Sequence, residues 1–94
     1  MGAGELFKIA AVAAAKGDQA AAERAYEALI GSPSQEVRLE ARFRLAMLEG
    51  DRGNLTKAVS LLRVILDHRP DSERVRVELA FLSGRMGITT ERLR

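Results

Sequence analysis

Apolar residues recur along the chain at intervals of three and four residues, which is the spacing of one face of an α-helix. In the second segment the stripe contains Ala22, Tyr26 and Leu29, and in the fourth it contains Ala58 and Leu62. Tight-turn and capping residues separate these segments. The pattern therefore predicts an all-α fold, with helices at roughly 4–16, 19–30, 35–51, 55–68 and 72–86.

The apolar pattern repeats at a nearly constant interval. Ile9-Ala10 recurs 36 residues later as Leu45-Ala46, and the same dipeptide position recurs after a further 34 residues as Leu79-Ala80. A shared register of this kind is typical of a repeat protein in which each unit is one helix pair. We expect a single domain with repeats at about 3–34 and 35–70 and a partial repeat at about 71–94.

The connections between the predicted helices carry turn and cap residues. Three glycines stand where the first helix of each repeat should end, a place that favours positive φ. Asp18 and Asn54 follow two of them and are predicted to cap the next helix. Between the first two repeats, Ser32 is predicted as an N-cap, with Pro33 as the first helical residue and Gln35 completing a capping box.

These positions resemble the tetratricopeptide repeat family, a 34-residue helix–turn–helix with small residues at fixed places. The resemblance implies a right-handed superhelical stack in which the first helix of each repeat lines a concave groove. Arg42 and Arg76 depart from the family pattern where a large apolar residue is frequent, and Glu49 stands where an aromatic residue is common. The second repeat carries the best match, through Leu45, Ala46, Gly53, Asn54, Ala58, Leu62, Ile65 and Pro70.

The same resemblance implies a partner-binding surface in the groove. Phe43, Met47 and Phe81 are expected to form the centre of an apolar strip that suits a helix or an extended apolar segment. The alternative for Phe43 and Phe81 is packing against neighbouring helices. The lysine–asparagine–arginine clamp with which some family members hold a peptide's carboxylate is not expected, because only Arg74 fits it. The full expected set is Phe7, Lys8, Phe43, Arg44, Met47, Arg74, Val77, Glu78 and Phe81.

The partial third repeat predicts an open apolar face on the last helix, formed by Val75, Leu79, Leu82 and Met86. Three explanations compete: a terminal cap, a fragment of a longer repeat array, and a homodimer in which two copies cover each other's faces. The apolar character of the helix favours the last two. A weaker resemblance links the segment from Leu45 to Leu82 to the repeat region of bacterial outer-membrane proteins that export surface lipoproteins.

Composition and motifs argue against most other functions. The net charge is +2, cysteine is absent and histidine occurs once, so we expect no catalytic site, no cofactor, no metal and no nucleic-acid binding. His68 is interpreted as a helix-end residue, and Gly50 to Gly53 lacks the rest of a phosphate loop. No segment is apolar enough for membrane insertion. We expect a cytoplasmic location if the chain is complete, and a periplasmic one is the alternative for a fragment of an exported protein.

The sequence therefore predicts a non-catalytic protein–protein interaction module that binds a peptide or helix in a concave groove. The alternative prediction is a structural element that self-associates through the third repeat.

Overall fold

A computed structural model describes residues 2–87, so residues 88–94 of the expected third repeat lie outside the described part. Each helix packs against the next one along the chain, and α1 also contacts α3. No strand occurs within residues 2–87, which confirms the all-α prediction, and the predicted helix bounds differ from the observed ones by one residue at α1 and α5 only. The helices are α1 (Ala3–Ala15), α2 (Gln19–Ile30), α3 (Gln35–Asp51), α4 (Leu55–His68) and α5 (Glu73–Arg85).

The three turn glycines adopt the conformation that their positions predicted. Gly17, Gly53 and Gly87 have φ values of 84°, 87° and 77°, and they are the only residues with positive φ among those described. A side chain is strained in this left-handed region, so glycine is the residue that reverses the chain most readily here.

The helix caps differ in part from the prediction. Asp18 caps α2, because its Oδ1 accepts a hydrogen bond from the backbone N–H of Ala21 at 3.1 Å. Asn54 occupies the N-cap of α4 but makes no side-chain cap bond. Its amide instead donates to Oε1 of Glu49 at 2.6 Å, because a buried carboxylate is the stronger acceptor.

The N-cap of α3 also differs from the predicted one, although the helix spans the predicted residues 35–51. Ser34, in extended conformation, is the N-cap, and its Oγ accepts from the N–H of Val37 at 3.3 Å. Ser32 accepts from the N–H of Ser34 at 3.1 Å and so stabilises the turn rather than the helix. Pro33 therefore lies in the turn before the cap and is not the first helical residue.

Two apolar clusters form the core, and α3 contributes a different face to each. The first cluster joins α1 and α2 to the α3 residues Ala41, Leu45 and Leu48. The second cluster joins α4 and α5 to the α3 residues Leu39 and Ala46. Helix α3 therefore packs one face against the first repeat, which we call the backward direction. It packs the other face against α4, the second helix of its own repeat, which we call the forward direction.

The same two faces can be named on every first helix. The forward stripe has four positions per helix: Ala3, Phe7, Ala10 and Ala14 on α1; Leu39, Phe43, Ala46 and Gly50 on α3; Glu73, Val77, Ala80 and Gly84 on α5. The backward stripe has four others: Glu5, Ile9, Val12 and Lys16 on α1; Ala41, Leu45, Leu48 and Arg52 on α3; Val75, Leu79, Leu82 and Met86 on α5.

Small residues on the forward stripe bring the helices of each pair close together. Ala10, Ala22, Ala46 and Ala58 have no exposed surface. A methyl group on Gly50 would lie 3.2 Å from Leu82 Cδ2 and 4.0 Å from Ala58 Cβ, so this position has little room for a side chain. Close packing of helices depends on such small contact residues.

A buried carboxylate connects the two complete repeats. Glu49 has no exposed surface, and Lys57 Nζ lies 3.1 Å from its Oε2 and 3.0 Å from Oε2 of Glu23 on α2. Arg52 reaches both acids at longer range, 3.9 Å from Glu49 and 3.6 Å from Glu23. The cluster therefore ties α2, α3 and the start of α4 together by charge.

Burial alone would raise the pKa of Glu49. The hydrogen bond from the Asn54 amide and the ion pair with the Lys57 ammonium group outweigh burial and hold the pKa of Glu49 below its ordinary value of 4.5. The hydrogen bond to Glu23 and a smaller one to Glu49 raise the pKa of Lys57. The pair is therefore ionised at neutral pH. The sequence had marked Glu49 only as a departure from the family pattern.

Leu62→Ala tests the second cluster. Leu62 is completely buried, so we expect the free energy of unfolding to fall by about 2–5 kcal/mol through lost apolar burial and the cavity left behind. Urea unfolding followed by circular dichroism measures the change. Arg63→Ala, at the exposed neighbouring position, is the control and should leave the unfolding midpoint nearly unchanged. An equal loss in both variants would contradict the assigned packing.

Glu49→Gln tests the buried carboxylate. Because the folded-state pKa is lowered, the ionised carboxylate stabilises the fold above pH 4.5, and this stabilisation is lost as the pH falls toward the folded-state pKa. We expect the variant to be about 1–3 kcal/mol less stable at pH 7. The deficit should shrink below pH 4.5. Urea unfolding at a series of pH values measures it, with the exposed Glu36→Gln as the control. A deficit independent of pH would contradict the ionic role.

Candidate partner-binding surface

The first helices meet along one face of the molecule, which we call the inner face. Side chains from α1, α3 and α5 form a continuous series of contacts across it. The guanidinium of Arg44 lies 4.8 Å from the ring centroid of Phe7, and that of Arg74 lies 3.6 Å from the ring centroid of Phe43. Glu40 lies between the two arginines. A carboxylate therefore lies between two guanidinium groups, and each guanidinium group lies over an aromatic ring, across the three helices.

Glu40 holds both arginines. Its Oε2 accepts from Nε of Arg44 at 2.9 Å, and Arg74 donates to both carboxylate oxygens, at 3.1 and 3.2 Å. Burial raises the pKa of Glu40, but the hydrogen bonds from Arg74 and Arg44 outweigh it and lower the pKa overall. The hydrogen bond to Glu40 raises the pKa of Arg44. We call the set Phe7, Arg44, Glu40, Arg74 and Phe43 the arginine ladder.

The ladder restricts several residues that were expected to bind a partner. Phe7 and Phe43 are half-buried, because each packs against a core cluster beneath its arginine. For Phe43, packing against neighbouring helices was the alternative that the sequence left open. Arg44 and Arg74 are exposed, but each already forms an ion pair with Glu40. A partner would therefore meet the outer side of paired groups rather than free cations.

The remaining expected residues are distributed unevenly. Val77 is 56% exposed and Phe81 is 60% exposed, which are the largest values for big apolar side chains among the described residues. Arg85 lies 5.9 Å from the ring of Phe81 and leaves most of it open. Lys8 is exposed, whereas Met47 and Glu78 are half-buried. The accessible apolar part of the inner face is thus concentrated on α5.

A cleft of about 370 Å³ opens where α3, the end of α4 and the start of α5 meet. Apolar side chains of Leu39, Phe43, Ile65 and Val75 line it. Its polar lining combines three acids with two arginines, so neither sign of charge dominates. These polar residues are Glu36, Glu40, Arg69, Asp71, Ser72 and Arg74.

The expected self-association face requires a correction. Val75 and Leu82 are each only 3% exposed, and Leu79 and Met86 pack against the second core cluster. These residues form the backward stripe of α5, which covers α3 and α4 in the same way that Leu45 covers the first repeat. They are therefore core residues and do not form an open face. The sequence indicated correctly that α5 carries an apolar stripe. It predicted wrongly that this stripe is uncovered within the chain.

The central role of Glu40 was not predicted from the sequence. Two signals were present: Arg44 follows Glu40 at the helical spacing of four, and Arg74 occupies the position equivalent to Glu40 one repeat later.

His68, the single histidine, is exposed, and its Nδ1 lies 3.1 Å from the carbonyl oxygen of Val64 at the end of α4. Within residues 2–87, no group of three potential metal-binding side chains is present.

None of the helices in the described part of the chain is both long enough and apolar enough to cross a membrane.

No curated protein and no solved structure matches the chain significantly. The resemblance to outer-membrane export proteins therefore stays a prediction. A family comparison does match residues 40–72 to the tetratricopeptide repeat. The matched segment spans most of α3, all of α4 and the turn before α5, which is the best-conforming repeat of the sequence. Residues 40–72 thus form a helix pair similar to a tetratricopeptide repeat, within a described chain of five helices.

Proposed function

We propose that this chain is a protein–protein interaction module that binds a peptide or helix of a partner on its inner face, without catalysing a reaction. Tetratricopeptide repeats generally mediate contacts between proteins and generally lack catalytic activity, and this supports the coarse assignment. The observation that carries the finer proposal is the exposure of Phe81 on the inner face. Exposed apolar surface of this kind is typical of interaction sites.

The inner face offers two kinds of contact to such a partner. Phe81, together with the half-buried Met47 at the equivalent position of the preceding repeat, provides apolar surface for one or two partner side chains. Lys8 and the outer edges of the arginine ladder provide donors along one side. The ladder also fixes the spacing of α1, α3 and α5, because its ion pairs and ring contacts cross between the helices. A preorganised surface loses less conformational entropy on binding.

Self-association is a second candidate function, and the backward stripe of α1 favours it. Ile9 and Val12 are 44% and 45% exposed, whereas the equivalent Leu45 and Leu48 are buried against the preceding repeat. Another copy of the chain, or another repeat of a longer protein, would cover this surface. The sequence had placed self-association on the backward stripe of α5, which is buried or half-buried, so we propose the exposed stripe of α1 in its place.

Phe81→Glu combined with Met47→Glu tests partner binding. The probe is a peptide selected from a displayed random library against the unaltered chain. We expect the double variant to bind it at least about ten-fold more weakly, because it loses an apolar contact and gains two charges. Fluorescence anisotropy measures the affinity, and Ile9→Glu, a substitution at an exposed apolar residue away from the inner face, is the control. Equal affinity in the double variant, with unchanged helix content, would exclude the inner face.

Light scattering over a wide concentration range tests self-association. If α1 joins copies of the chain, the molar mass should rise with concentration, and Ile9→Glu should restore the monomer because it places a charge in the contact. Phe81→Glu is the matched control and should leave the assembly intact. A monomer at every concentration would remove this second candidate.

A further inference from the structure

Two of the three phenylalanine rings are covered by an arginine from the first helix of the following repeat. Phe7 on α1 lies under the guanidinium group of Arg44 on α3, at 4.8 Å, and Phe43 on α3 lies under that of Arg74 on α5, at 3.6 Å. Both rings also pack against a core cluster. Each ring is therefore enclosed between the core and a cation.

The third ring lacks such a cover. Arg85 lies 5.9 Å from the ring centroid of Phe81, and its Nη1 donates to the backbone carbonyl oxygen of Gly50 at 3.2 Å. The guanidinium group is thus held by the backbone of α3 and not by a carboxylate beside the ring. Phe81 is accordingly 60% exposed.

Glu40 is the group that separates the covered rings from the open one. It accepts from Nε of Arg44 at 2.9 Å and from both terminal nitrogens of Arg74 at 3.1 and 3.2 Å. Bidentate, charge-assisted hydrogen bonds of this kind fix the position of a guanidinium group. A ring alone attracts an exposed guanidinium group only weakly. Without the carboxylate, each arginine would retain the ring contact alone and would spend more time in water.

We propose that Glu40 limits the apolar surface that a partner can contact on the inner face, because it holds the two arginines of the ladder over the rings of Phe7 and Phe43. The inference rests on the proposed function of the inner face and concerns the regulation of that face. Glu40 is a positioning residue, since it acts through the arginines. Apolar contact is confined by it to Phe81 and the half-buried Met47.

This cover selects among partners. A segment with one or two apolar side chains fits the open surface beside Phe81. A longer apolar segment would have to displace the guanidinium groups from their rings and separate them from Glu40 without supplying a new carboxylate. Unpaired charges in a contact disfavour binding, so the ladder discriminates against long apolar segments.

The test uses Nile red, an uncharged apolar dye, titrated with the full chain and followed by fluorescence. Glu40→Ala should bind the dye at least about five-fold more tightly, because affinity rises with the apolar area that is accessible. Alanine favours the helix, so the helix content should be unchanged. The matched control is Glu36→Ala, an exposed position one turn earlier on α3, and it should leave the affinity unchanged.

Arg74→Ala separates loss of the cover from general loosening of the fold. It removes the cover of Phe43 directly and should also increase the affinity for the dye. The double variant Glu40→Ala and Arg74→Ala should gain less than the product of the two single gains, because Glu40 acts on Phe43 through Arg74. High salt should reduce the difference between Glu40→Ala and the unaltered chain, since screening weakens the ion pairs that hold the cover.

Unchanged dye affinity in Glu40→Ala and Arg74→Ala would overturn the proposal, and so would single gains that multiply fully in the double variant. The titration is repeated with Phe81→Glu present, where the gain from Glu40→Ala should persist because it comes from other rings. A gain that disappears there would also contradict the cover. Peptide binding by Phe81→Glu combined with Met47→Glu tests the inner face without altering Glu40, so each proposal can fail without the other.

Discussion

The close contact between the two helices of each repeat is the constraint on which the rest of the structure depends. Ala10 and Ala46 on the first helices, and Ala22 and Ala58 on the second, have no exposed surface. Because these side chains are small, the helices approach closely, and the large residues of each pair are directed to either side of the contact. The forward and backward stripes follow from that arrangement, and with them the division of α3 between two clusters.

The surfaces available for function are those that stay exposed after the forward and backward stripes have packed within the chain. On α3 both stripes are covered within the chain, so its free surface is the inner face. On that face Glu40 pairs with Arg44 and Arg74, which leaves few uncompensated charges. At the two ends of the described stack one stripe remains open on each terminal helix: Ile9 and Val12 on α1, and Val77 and Ala80 on α5.

The helices and the turn glycines were predictable from sequence, because both are set by local rules of spacing and backbone conformation. Which neighbouring helices Val75 and Leu82 pack against was not predictable from the sequence. An apolar stripe shows that a helix is buried, but it does not show which neighbour covers it. The role of Asn54 was missed for a related reason, since its partner Glu49 is buried only after α2, α3 and α4 have assembled. Interactions that exist only in the tertiary structure carry weak signals in a single sequence.

The most direct test of this account compares the two stripes of α5 by cysteine labelling. The chain contains no cysteine, so each introduced thiol is a unique reporter. Val75→Cys, Leu82→Cys, Val77→Cys and Ala80→Cys would each be treated with a maleimide under native conditions, and the labelling rates compared with those in urea. The account predicts rapid labelling at positions 77 and 80 and strong protection at 75 and 82. Equal rates at all four positions, in variants that retain their helix content, would contradict it.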